Sequence, residues 1–434
     1  MDTILLIIDK LQTLYWEYIG LVTVVGMGIY LTYLSKGKQF RALWHFKRHL
    51  GELRHVGRQS EKDGVHPFKL FFASVGGMVG IGNIVSVGAA ITIGGPGSIF
   101  WMWVASFSGM LIKYSEIYLG IKYRVGDGKG SYNGGPMYYL QVAFKNKFWA
   151  YLSAFLLCIY GIEIYQFTVV VDRVESTFNI DRNLVIATLL ALSLYTVIGG
   201  IRRMANICSV MMPIFMLSYI IICLYIIGVN YQALPEVFVS IFHGAFHGHA
   251  PIGGFVGSSM MLAASTGIAR GVYAADIGIG YDAVVQSETM AEHPRQQARI
   301  SIYALFTDTL ICMMTTLIFA VTNSWYTLND VQSDAIVARI LDNYLPHADL
   351  FMTCLLFFAG FTTIVAYFSA GMKNAAFLNK KYGKPLYLAY AVCAFVFFSH
   401  YPADAVMPIM LFVGGLLVLL NVAAIIRLIK MIEF

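Results

Sequence analysis

Charge is what this chain has least of. Asp, Glu, Lys and Arg make up 12% of its 434 residues, against about 25% in soluble domains. Hydrophobic residues reach 58% and the mean hydropathy is +0.68. That shortage excludes a soluble globular chain and leaves an all-α polytopic membrane protein. The net charge of +6 is no nucleic-acid signal, because the basic residues are confined to particular loops. The sequence has no HExxH, no GxSxG and no paired metal-ligand motif, which argues against an enzyme. Its six cysteines (Cys158, Cys208, Cys223, Cys312, Cys354, Cys393) lie in apolar segments without CxxC spacing. They read as small core hydrophobes, neither a disulfide framework nor a zinc site. The N-terminus lacks a basic n-region and a small-residue cleavage site, so no cleavable signal peptide is expected there.

Long apolar runs are what the chain has instead. A crossing helix needs about 20 mostly apolar residues, and by that measure there are about eleven spans. They centre on 15–34, 67–94, 97–121, 148–171, 184–199, 206–229, 252–282, 299–322, 349–372, 386–401 and 404–428. Lys and Arg crowd the loop after the first span (Lys36, Lys38, Arg41, Lys47, Arg48) and every second loop thereafter, including Arg124, Arg202, Arg295 and Lys373. Positive charge marks the cytoplasmic side, which predicts an external N-terminus and a cytoplasmic C-terminus. The predicted organisation is an extra N-terminal helix (1–35), a basic cytoplasmic linker (36–66) and two sets of five spans, 67–229 and 252–428. Sets of odd number enter the membrane from opposite sides, which is the arithmetic of an inverted repeat.

Each set opens on an apolar segment interrupted by glycines: SVGGMVGIGNIVSVG at 74–88 and STGIARGVYAADIGIG at 265–280. Non-helical backbone at membrane depth survives only in protein or beside a watery cavity. Paired breaks of this kind point to a transporter's substrate site. In the run Gly80-Ile81-Gly82-Asn83, an unwound stretch before a new helix start offers amides to a carboxylate. The preceding turn offers carbonyls to a hard cation, and Asn83 adds a side-chain oxygen. Close helix packing through small residues is the competing explanation for the glycines. In the ninth span, Thr362 and Thr363 supply two hydroxyls with the Ala359 carbonyl one turn earlier, an oxygen set suited to a hard cation. Hydrogen bonds of both threonines to their own helix are the alternative.

The runs GIGNI (80–84), GGPGSIFWMWVASFSGMLIKYSEIYLGIKYR (94–124), GGPMYYL (134–140), GGFVGSSMMLAASTGIARG (253–271), HPRQQA (293–298) and FTDTLICMMTTLI (306–318) resemble the sodium:alanine/glycine symporter family. The resemblance implies a LeuT-type five-plus-five fold preceded by one helix, and sodium-coupled uptake of small neutral amino acids such as alanine or glycine. It implies a substrate carboxylate on the amides of Gly80, Ile81 and Gly82, with Val85 nearby. The substrate ammonium would face carbonyls around Ser265, Gly267 and Gly271, with Thr363 and Tyr367 completing the pocket. Tyr367 stands where the family has a capping Trp; a lipid-facing or interfacial Tyr is the other reading. The implied sodium ligands are Gly76, Val79, Ala359, Thr362, Thr363 and Asn83; sodium is the only metal and no cofactor is expected.

Lys113 and Glu116 share a face of the third span and match the family's GMxxKxxE. Near the cytoplasmic end, a snorkelling local ion pair of structural or gating kind is expected. Asp276 and Asp308 are candidates for cation or gating roles, with Arg270 as a partner for Asp276. His243, His247 and His249 are expected in a solvated external loop without metal. Departures from the family cluster in the second break, where Ala274 to Tyr281 read AADIGIGY in place of SNEAGLGS. The leading expectation is a sodium symporter working by alternating access, a monomer in a prokaryotic cytoplasmic (inner) membrane. Its expected partners are an amino acid, sodium and the lipid bilayer, with no nucleic acid. Proton coupling through Asp276 or Asp308, and a non-transporting amino-acid sensor on the same fold, are the alternatives.

Overall fold

The computed structural model describes residues 2–46, 49, 64–128, 130–247, 260–324 and 333–434. Helix dominates throughout. α1 (Asp2–Tyr15) passes through a π-helical turn, Trp16–Gly20, into α2 (Leu21–Leu34), and α3 (Lys38–Trp44) follows. The next group is α4 (Pro67–Met78), a 3-10 turn Ile81–Asn83, α5 (Val85–Gly94) and α6 (Gly97–Lys122). A two-stranded hairpin, β1 (Val125–Gly126) and β2 (Tyr132–Asn133), leads to α7 (Pro136–Phe144). Then come α8 (Lys147–Tyr160), α9 (Ile164–Phe178), α10 (Arg182–Ile198), α11 (Gly200–Val229) and α12 (Leu234–His247). The remainder comprises α13 (Met260–Ala275), α14 (Tyr281–Gln286), α15 (Pro294–Val321), α16 (Ser333–Asp342), α17 (Ala348–Leu378), α18 (Gly383–Phe398) and α19 (Ala403–Arg427).

Among the described residues, six helices are long and apolar enough to cross a bilayer, and the α4–α5 pair, bent by 58°, makes a seventh if counted as one span. α10 and α18 are apolar but shorter. The outer surface is a lipid surface. Along α11, Val210, Ile214, Leu217, Ile221 and Leu224 are all more than half exposed, at the three- and four-residue steps of one helix face. Water does not tolerate such a stripe, and hydrocarbon does. α6 occupies the opposite environment, with Gly109 to Ile121 wholly buried between α13 and α15.

Four expectations change. The 148–171 segment is broken by a turn at Gly161–Glu163, where Glu163 has φ 52°. The sequence from Ser265 to Gly271 is continuous helix; the second break falls later, at Asp276–Gly280. His243 and His247 lie on the surface of α12, with stacked rings 4.8 Å apart, not in a loop; His249 lies outside the described residues. Cys354 and Cys393 are exposed on lipid-side helices, while the other four cysteines are buried.

Candidate functional site

The first break begins where α4 stops at Val79, with ψ turned to 81°. The Gly80 N–H, which would have continued the helix by bonding the Gly76 carbonyl, turns instead to Met78 O at 2.9 Å and Asn83 Oδ1 at 3.0 Å. The Gly76 carbonyl is thereby released. It accepts the Thr363 hydroxyl of α17 at 3.1 Å, and the same hydroxyl lies 2.9 Å from the Ala359 carbonyl. Three neutral oxygens from two helices thus meet at one point, a donor set that fits a small hard cation. Val79 is buried beside them. The Thr362 hydroxyl shares the Ala359 carbonyl at 3.0 Å, but its other contacts are Phe358 O at 2.8 Å and Met212 Sδ at 3.3 Å, so Thr363 alone of the two bridges to the Gly76 carbonyl. The Asn83 side-chain oxygen is taken by the Gly80 N–H, and its amide nitrogen donates to Asp308 Oδ1 at 2.6 Å and lies 3.1 Å from Cys312 Sγ.

The Ile81 amide donates to Gln166 Oε1 at 2.9 Å. Gln166 stands within 3.4 Å of the Tyr273 hydroxyl, which in turn donates to Glu163 Oε2 at 3.2 Å. Sequence reading missed Gln166, Glu163 and Tyr273. The acid inside an apolar run at Glu163 was the signal, and the break it marks is what aims Gln166 at Ile81. Gly82 packs under Tyr273, a Cβ there lying 3.2 Å from the ring. Val85 opens α5 and is buried.

Ser265, Gly267 and Gly271 lie within the continuous helix α13, not in an unwound segment. Ser265 bonds Leu262 O within α13, and a Cβ on Gly267 would lie 2.4 Å from Ser98 O of α6. Close helix packing is the use of these glycines. The unwound turn beyond them is set by Asp276, Gly278 and Gly280, with φ of 50°, 73° and 92°. For Asp276, a residue with a Cβ, that conformation is held by its surroundings.

Those surroundings centre on Lys113. Its ammonium lies 2.8 Å from Asp276 O, 2.9 Å from Asp276 Oδ2, 3.3 Å from Ala275 O and 3.6 Å from Asp282 Oδ2. Ser74 of α4 donates to Asp282 Oδ2 at 2.6 Å. Lys113 is therefore fully buried and bonded across to the second break; it neither snorkels nor pairs with Glu116. Arg270, assigned to Asp276 by sequence, donates to Ser86 Oγ at 3.0 Å. Tyr367 is 2% exposed, which rules out a lipid-facing position, and stacks on Tyr281 at 3.9 Å between centroids.

At the end of the bundle rich in Lys and Arg, a polar network joins the elements. Arg124 donates to Ser287 O at 2.9 Å, Thr289 O at 2.6 Å and Ala291 O at 3.3 Å while covering the Tyr132 ring at 3.8 Å. Burial pushes its pKa down, though a guanidinium stays charged. Val65 bridges to Glu288 and Met290 by main-chain bonds of 2.8 and 3.1 Å, and Lys373 is paired with Glu288. A cavity of about 1080 Å³ opens beside this network, between Tyr138, Lys147, Arg202 and Lys384.

A lipid-faced helical bundle with two interrupted helices at its buried centre is the build of a polytopic membrane transporter. The sodium:alanine symporter family model matches residues 1–433, and the chain belongs to that family. It is 32% identical over 405 residues to an uncharacterized transporter of Haemophilus influenzae, covering 89% of this chain and 86% of that one. It is 29% identical to the sodium/alanine symporter AgcS of Methanococcus maripaludis, over 93% of this chain and 89% of that one. It is 28% identical to the probable sodium/glutamine symporter GlnT of Bacillus subtilis, over 98% and 88%.

Proposed function

We propose that the protein takes up a small neutral amino acid, such as alanine or glycine, with sodium, by alternating access. The observation that carries this reading is the meeting of the Gly76 carbonyl, released by the first break, with the Ala359 carbonyl and the Thr363 hydroxyl. Sodium is the cation of this reading: it binds hard neutral oxygens and needs no resident carboxylate. The substrate carboxylate takes the Ile81 amide by displacing the Gln166 side-chain oxygen, so sodium and substrate share one short unwound segment. The reading includes eleven crossings, the five-plus-five inverted repeat over 67–229 and 252–428, an external N-terminus and a monomer. In that orientation the network around Arg124 closes the cytoplasmic mouth.

Proteoliposomes test it. Radiolabelled alanine or glycine accumulates when sodium is high outside and fails to accumulate when potassium replaces it. Uptake indifferent to sodium but collapsed by removing a pH gradient would sink sodium coupling. Binding of an amino acid without uptake under any gradient would sink transport itself.

A further inference from the structure

The charges around Lys113 do not balance. Lys113, Glu116, Asp276 and Asp282 are all fully buried, three carboxylates against one ammonium. The three hydrogens of the ammonium are committed to the Asp276 side chain and to the Ala275 and Asp276 carbonyls. Asp282 has the Ser74 hydroxyl and lies 3.6 Å from Lys113. Glu116, nearly one turn further along α6, has no closed hydrogen bond at either oxygen; the Gly280 amide is aimed toward it. An ionised carboxylate buried without a partner costs several kcal/mol, and such a group neutralises instead. A proton on Glu116 removes its charge where it stands, and leaves Asp276 and Asp282 to face Lys113.

We propose that Glu116 is a proton-binding site whose occupancy alternates with the pairing of Lys113. While the second break is seated, Glu116 carries a proton and Asp276 and Asp282 are the counter-ions of Lys113; the one negative charge left over is spread over two carboxylates, with the Ser74 hydroxyl bonded to Asp282. When the segment from Asp276 to Asp282 withdraws, Lys113 loses both. Glu116, three residues along the same helix face, then gives its proton to water, keeps the electron pair of the broken O–H bond, and becomes the new counter-ion.

The other titratable groups facing the pocket have partners elsewhere. Tyr139 of α7 donates to Asn421 at 2.7 Å, and Asp308 of α15 receives Asn83. Tyr367 of α17 faces Asp276 and stacks on Tyr281. Lys113 is thus the ammonium available to an ionised Glu116.

The alternation rests on the transport reading, but the proton itself does not, so two measurements are paired. Infrared spectra of the purified full-length protein at neutral pH show the carbonyl stretch of a protonated carboxylic acid; Glu116→Gln removes that component and Glu116→Asp keeps it at a shifted frequency. Gln has the shape of the protonated acid, and a melting temperature near the parent's confirms that the variant folds. In proteoliposomes, parent uptake slows as internal pH falls, because release of the proton is opposed. E116Q binds alanine but takes it up about tenfold more slowly, with no dependence on internal pH. A band that survives in E116Q, or E116Q uptake matching the parent at every internal pH, overturns the proposal. If the parent itself takes up no amino acid, the symport reading fails, while the infrared band still decides Glu116.

Discussion

The Thr363 hydroxyl occupies the space that a side chain on Gly80 would need: a Cβ at Gly80 would lie 2.5 Å from Thr363 Oγ1. The first break and α17 approach this closely because one member of the pair has no side chain, and the approach is what brings Thr363 to the Gly76 carbonyl. Gly80→Ala must therefore displace the Thr363 side chain or push α17 away. Overpacking of this kind costs about 1–3 kcal/mol. Sodium-dependent uptake should fall by roughly tenfold or more, with the sodium concentration for half-maximal uptake raised. Unchanged sodium dependence in G80A would show that the two helices are not positioned by this contact.

The adjacent threonines separate in the same assay. Thr363 joins two helices, whereas Thr362 is bonded within its own turn to Phe358 O and Ala359 O. Thr363→Ala is expected to raise half-saturation by sodium about tenfold and Thr362→Ala by less than about twofold. Thr363→Ser keeps the hydroxyl and should stay near the parent.

Gln166→Leu removes the acceptor of the Ile81 amide and leaves a buried donor without a partner, a loss of about 1–3 kcal/mol in the empty protein. Substrate should restore that partner. Alanine is therefore expected to raise the melting temperature of the variant by more than it raises that of the parent. An equal shift in both would separate Ile81 from the substrate carboxylate.

Arg124→Ala strips the donors from the Ser287, Thr289 and Ala291 carbonyls. The fork is charged and serves three acceptors, so the variant should melt measurably lower, by a loss of about 1.5–3 kcal/mol. Lys at this position restores only part, because an ammonium lacks the planar fork. Full recovery in Arg124→Lys would reduce Arg124 to a point charge.

Lys38, at the start of α3 and outside the spans, is half-buried, and burial together with Arg295, Arg299 and Arg41 lowers its pKa to about 8. The unfolded chain holds the proton to a higher pH, near the ordinary lysine value. The charged form is thus penalised in the folded state: the penalty is full below pH about 8 and disappears as pH rises toward about 10.5. Melting temperature should gain a rising component across that window, and Lys38→Met should lack it. Parallel curves for parent and variant would remove Lys38 from the pH response.

Much of this architecture was legible in the sequence because bilayer thickness imposes length and apolarity on each segment. Among the described residues the predicted spans contain helix, residues 252–259 of the seventh lying outside them, and the first break sits at Gly80–Asn83. What failed depended on partners far away in the chain. Gly267 and Gly271 resemble a break in composition, but they face Ser98, Met102 and Ala105 of α6, and only the packing partner tells a contact glycine from a hinge glycine. Lys113 and Glu116 are neighbours on one helix, so a local pair was the natural reading; a partner 163 residues away captures the ammonium instead. Gln166 carried no pattern at all, and its role follows from the turn at Glu163.

The stacked rings of Tyr281 and Tyr367 have a mechanical consequence. Tyr281 also donates to Ala73 O at 3.2 Å, and its hydroxyl lies 2.1 Å from where a Cβ on Gly77 would stand. One aromatic ring is therefore pinned to α4, belongs to α14 and lies flat on α17. These pieces are coupled like gears keyed to a common shaft: α14 cannot tilt alone without unstacking from Tyr367 or dragging α4 with it. Whatever opens the basic end of the bundle must either slide one ring across the other or turn the two half-helices together.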